Sequence, residues 1–161
     1  METVNRCPAC RATLRDGLTC QDHFYQLLAW EAEYPGQTLA VHHLLVLCYH
    51  LQHPQLYSPQ GLEGAKHLLA NFVEQGVAPA EARRRQRSTV DSGKRSWKIT
   101  GTPTSYGTYF HPIHWQITVA DVAADTVDHY SDKVQAWAHT SLEALKASGN
   151  LATPSERTAG A

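Results

Sequence analysis

Apolar residues along this chain recur mostly at intervals of three and four, the period of a helix and not of a strand. Phe24, Leu27 and Leu28, with Trp30 beside them, mark an amphipathic helix. Thr19 and Asp22 have the spacing of a capping box, which starts that helix near Gln21, and Tyr34-Pro35-Gly36 ends it. Thr38 is placed to cap a second helix from about Leu39 to Gln52. Its residues Leu39, Val41, Leu44, Leu45, Val46, Leu47, Cys48 and Leu51 leave almost no polar face except histidine. A helix apolar nearly all round is central and buried. Pro54 disfavours helical geometry at His53 and sets its end.

Ser58-Pro59 has the chemistry of a helix start, and Leu62, Ala65, Leu69, Phe72 and Val73 form the stripe of a third helix closed by Gly76. Pro79 opens a short helix running to about Arg87. From Trp97 to Tyr109, Gly101, Pro103 and Gly107 stand among aromatics, the composition of an ordered loop with brief extended pieces at Trp97–Ile99 and Trp115–Val119. Thr118 and Asp121 repeat the capping spacing and predict a helical turn over Val119–Ala124. Val127, Tyr130, Val134, Trp137, Ser141 and Leu145 then give one face of a long last helix ending near Gly149.

The expected fold is therefore mainly α: a bundle of about four to five helices behind an N-terminal knuckle, with an aromatic-rich loop before the last helix. Residues 1–149 are expected to form a single helical domain, with the first five residues frayed and 150–161 a disordered tail. Apolar content of 42% and charged content of 18% suit a soluble globular chain of 161 residues. The longest apolar run, Leu44–Cys48, is too short to cross a bilayer, so no membrane role is expected. No leader pattern precedes the first cysteine, which predicts a cytoplasmic protein whose four cysteines stay reduced.

Candidate chemistry concentrates in residues 7–23. Cys7, Cys10, Cys20 and His23 follow a C-x2-C-x9-C-x2-H arrangement, and two closely spaced donor pairs joined by turn residues suit one tetrahedral zinc ion. Four protein ligands close the coordination sphere, as in structural sites. The second helix offers other candidates for the fourth ligand: Cys48, His50 and His53. His42 and His53 are eleven residues apart, about 16 Å along a helix, so they cannot share an ion. Tyr49, His50 and His53 also gather imidazole and phenol at one helix end, where a polar pocket would support acid–base chemistry. No nucleophile–base motif accompanies them, and the balance leans away from an enzyme.

Charge is uneven despite a net −1. Seven of the 14 Lys and Arg residues lie between Arg83 and Lys98, while Asp121–Asp132 carries four acids and no base. Arg83, Arg84, Arg85 and Arg87 make nucleic acid or another anionic partner a further expectation.

The stretches CPAC, TCQDHF, VHHLLVLCYHLQHPQLYSP, WKITGTP and TVADV, with the WA-containing last helix, resemble a bacterial family catalogued only as a domain of unknown function, DUF5946. They span residues 7 to about 147. The resemblance implies that Cys7, Cys10, Cys20, His42, His53 and the Gln52-His53-Pro54 turn belong to family motifs. It brings no activity with it. Taken together, these features point first to a zinc-binding cytosolic accessory or interaction module. A histidine- or metal-dependent enzyme and an anion-binding protein are the alternatives.

Overall fold

The computed structural model describes residues 4–90 and 98–152, without the side chains of 86–90. Among the described residues two short strands, β1 (Val4–Arg6) and β2 (Thr13–Arg15), precede seven α-helices: α1 (Cys20–Glu33), α2 (Pro35–Thr38), α3 (His42–Gln52), α4 (Pro59–Glu74), α5 (Pro79–Val90), α6 (Val119–Ala123) and α7 (Tyr130–Ala147). Five of these helices are eleven residues or longer, and α2 and α6 are single turns. The fold is mainly α, as the periodicity predicts. No helix among the described residues is long and apolar enough to cross a membrane. Contacts gather the chain into two compact units, Met1–His53 with His114–Ser141 and Pro54–Ile113 with Leu142–Ala161.

The first unit begins with a hairpin absent from the helical reading. β1 and β2 run antiparallel with Val4 opposite Arg15 and Arg6 opposite Thr13, so Val4 and Asn5 are paired rather than frayed. Asp16 and Gly17 both have positive φ, and the Leu18 amide donates to the Arg15 carbonyl across them (3.0 Å). That is a tight turn whose hand delivers the chain to Thr19. The expected capping box then forms: Thr19 Oγ1 accepts from the Asp22 amide, while Asp22 accepts from the Thr19 amide at 2.8 Å.

Cys20, Leu27 and Glu31 form the buried stripe of α1. Helix α3 is buried on most sides, through Leu44, Leu45, Leu47, Cys48, Tyr49, Leu51 and Gln52. Fully burying a leucine such as Leu45 or Leu51 contributes about 2–3 kcal/mol. The start of α3 differs from expectation. Residues Pro35–Thr38 form α2, Leu39–Val41 form a tighter 3-10 turn, and regular α-helix begins only at His42. Thr38 is not a cap: its hydroxyl donates back to the Tyr34 carbonyl (2.9 Å), a bond that competes with capping.

Trp115–Val119 forms no strand; Val119 already opens α6 behind the Thr118–Asp121 capping box. Gln52, fully buried, donates through Nε2 to the Ile117 carbonyl (2.8 Å) and so ties the segment entering α6 to the end of α3.

In the second unit Ser58 caps α4, accepting from the Gly61 amide at 2.9 Å. Gly76, at φ 64°, follows its end. Tyr57 and Thr100 pair as an isolated antiparallel bridge, one residue beyond the expected extended piece at 97–99, whose residues Lys98 and Ile99 form no strand. Trp97 itself falls outside the described residues.

Helix α7 ends in a Schellman motif. The Asn150 amide donates to the Leu145 carbonyl (3.0 Å) and the Gly149 amide to that of Lys146 (3.1 Å), with Gly149 left-handed. Asn150 and Leu151 are buried, which corrects the expectation that disorder starts at 150. Asn150 exchanges bonds with the His111 backbone at 3.0 and 3.2 Å, and its carbonyl receives the buried Lys66 ammonium at 2.7 Å. The tail beyond residue 152 lies outside the described residues.

Candidate metal centre

Three separate pieces of the first unit converge on one cluster. The loop after β1 supplies Cys7 and Cys10, the first residue of α1 supplies Cys20, and the residue ending α3 supplies His53. The loop has the form of a metal knuckle. Arg11 sits at φ 66°, its amide donates to the Cys7 carbonyl (2.9 Å), and the Cys7 amide donates to Ala12 (3.0 Å). This reversal turns both sulfurs to the same side.

His53 leaves helical geometry (φ −128°, ψ 68°) just before Pro54, which disfavours the helical region there. Its Nδ1–H donates to the Tyr49 carbonyl at 2.7 Å, which leaves Nε2 to face Cys7 Sγ at 3.7 Å. Cys10 Sγ and Cys20 Sγ stand 3.6 Å apart. All four donor atoms lie within 4.8 Å of one another, and all four residues are buried.

A tetrahedral ion with metal–sulfur bonds of 2.3 Å separates its ligand atoms by about 3.7 Å. The two close pairs match that edge, so the donor set fits a single metal ion. A pair of bridged metal ions would hold some donors much farther apart. The Cys10 thiol is held well below the ordinary cysteine range. The bond from the Cys20 thiol lowers it most, with smaller help from His53 and the Ala12 amide against burial, to about 4. The Cys20 thiol is correspondingly pushed far up by Cys10 and by burial. A bound cation would favour the thiolate form of its cysteine ligands.

The structure brings Cys7, Cys10 and Cys20 together, as the spacing suggests, and the fourth member is His53 rather than His23. The reason is angular. At 100° per residue, Leu27 and Glu31 return to within about 20° of Cys20, whereas His23, Gln26 and Trp30 fall about 60–120° away. His23 therefore lines a hollow on another side of α1. Cys48 is buried in the apolar stretch with its thiol pushed up to about 12 by burial, outside the cluster. His50 directs Nδ1 to the Val46 carbonyl at 2.7 Å, the ordinary helix-back bond of a partly buried histidine.

Among the described residues the remaining candidates stand outside the cluster. Tyr49 stacks on Phe24 (centroids 4.1 Å, 9° between planes) and lies against the His53 ring at 4.5 Å. Burial, then the cysteines, push its phenol up to about 12, so it stays a neutral cover beside the sulfurs. Arg84 and Arg85 both pair with Glu81 on α5, while Arg83 is exposed. The side chain of Arg87 and residues Lys94 and Arg95 lie outside the described ones.

The sequence stretches that carry the knuckle and the α3 turn are thus the ones that meet in space. The chain belongs to DUF5946. That family model, described as a family of unknown function, matches residues 5–146, and so contains the whole cluster. Comparison with curated proteins and with solved structures finds no match.

One contact of this DUF5946 chain had no sequence signal beyond helical spacing. Glu31 is buried, accepts from Tyr130 Oη at 2.6 Å and meets His42 Nδ1 with its other oxygen. His42, half exposed, thus belongs to a different constellation from His53.

Proposed function

We propose that this protein is a zinc-stabilised accessory or interaction module in which Cys7, Cys10, Cys20 and His53 hold one structural zinc ion. The observation that carries the reading is the donor set itself: three thiols and an imidazole with its second nitrogen already bonded to a carbonyl. Thiolate-rich tetrahedral sets favour zinc among the common divalent ions. Four buried protein donors leave no position for substrate water, which favours a structural over a catalytic role. Zinc here is a clasp, holding the hairpin and the start of α1 on the end of the buried helix α3. The surface so fixed, not the metal, would then meet the partner.

Metal analysis of the purified protein is expected to give about one equivalent of zinc. Cys7→Ser and His53→Ala should each release it and lower the thermal midpoint sharply, because structural zinc binding is coupled to folding. His23→Ala should retain it. Zinc below about half an equivalent in the unaltered protein, or retention by His53→Ala with loss in His23→Ala, would overturn the assignment.

A further inference from the structure

His23, left out of the metal cluster, opens onto a second feature. Leu18, Asp22, His23, Gln26, Trp30 and Ala123 line a half-open hollow of about 430 Å³ in the first unit. That volume is within the range of small-molecule sites, about 300–1,000 Å³, and leaves room for one or two rings. Its walls divide by chemistry. Trp30, Leu18 and Ala123 give an apolar side, and Asp22, Gln26 and His23 a polar one.

The indole of Trp30 is held in place by an edge-on contact with the buried ring of Tyr130 (6.2 Å, 73°). A fixed aromatic surface costs a ligand less to engage than a swinging one. On the polar side, Asp22 Oδ2 receives both Thr19 bonds, at 2.8 and 2.9 Å, which positions the carboxylate at the rim while Oδ1 accepts neither. Asp22 is the one permanently charged side chain of the lining, and an indole face attracts cations as well.

We propose that this hollow binds a small planar organic cation, its ring on Trp30 and its ammonium or amidinium group against Asp22 and Gln26. The site is separate from the zinc reading and survives its failure.

Tryptamine is a suitable probe for the full-length protein as purified, with indole-3-acetate as its counterpart of opposite charge. Binding is read from the Trp30 indole N–H resonance, assigned by its loss in Trp30→Phe. Tryptamine should shift that resonance saturably, and indole-3-acetate should not. Gln26 is exposed on α1, so charge can be changed there without disturbing the core. Gln26→Lys should weaken tryptamine by about tenfold and Gln26→Glu should tighten it, since one unit charge is moved to within reach of the ligand's. Absence of a saturable shift, equal binding of the anion, or affinity indifferent to the charge at position 26 would each refute the site.

Discussion

Glu31 occupies a position on the buried stripe of α1 where a leucine would satisfy the periodicity, and two partners explain its burial. An ionised carboxylate inside a protein is tolerated only when its oxygens are bonded, and here Tyr130 and His42 take one each. Tyr130→Phe should therefore cost about 1.5–3 kcal/mol in denaturant unfolding, the worth of a hydrogen bond to a charged group. The phenol of Tyr130 is pushed well above its ordinary range, by burial first and by Glu31 second. A folded-state value above the unfolded one gives stability that is fully present below about pH 10 and is lost as pH climbs further. Alkaline unfolding should accordingly be less steep in Tyr130→Phe than in the unaltered protein.

Residue-scale chemistry was only partly legible beforehand. Cys7, Cys10 and Cys20 could be named because close spacing and turn residues confine them locally. The fourth donor lies 33 residues beyond Cys20 in the chain, and a rotation of about 60° along α1 decides against the nearer histidine. Glu31 had no visible partner, since Tyr130 follows it by 99 positions.

At the scale of elements, starts were easier to read than continuities. The capping boxes at Thr19 and Thr118 and the Ser58 cap all stand where local chemistry put them, because the bonds concerned join residues three apart. The hairpin of β1 and β2 leaves no such mark, for three-residue strands are too short to show alternation. The break before α3 leaves none either: a 3-10 turn and an α-helix carry nearly the same apolar spacing.

Two glycines of the second unit give a paired test of element packing. A Cβ at Gly107 would meet Leu62 Cδ2 and the Pro54 carbonyl, both at 2.9 Å, whereas one at Gly64 on α4 would meet nothing within 4 Å. Gly107→Ala should destabilise by about 1–3 kcal/mol, the usual cost of forcing atoms into a filled space. Gly64→Ala should stabilise by about 0.5–1 kcal/mol through helix propensity alone. Thermal or urea midpoints of the two variants should move in opposite directions.

On the scale of the whole molecule, the mainly α class was legible because five long helices carry most of the periodicity. The N-terminal cluster makes one more consequence visible in the unfolded chain. Cys7 and His53 are 46 residues apart, and a metal held by both closes that length of chain into a ring. On a chain-entropy view, closing a ring of that size removes about 4 kcal/mol of disorder from a denatured ensemble that keeps its metal. A chain that kept its metal would begin folding with that closure already made. Refolding from denaturant with zinc present should therefore be faster than refolding with a chelator, even where both end at the same native signal. The knuckle, on this view, acts before there is any structure for it to stabilise.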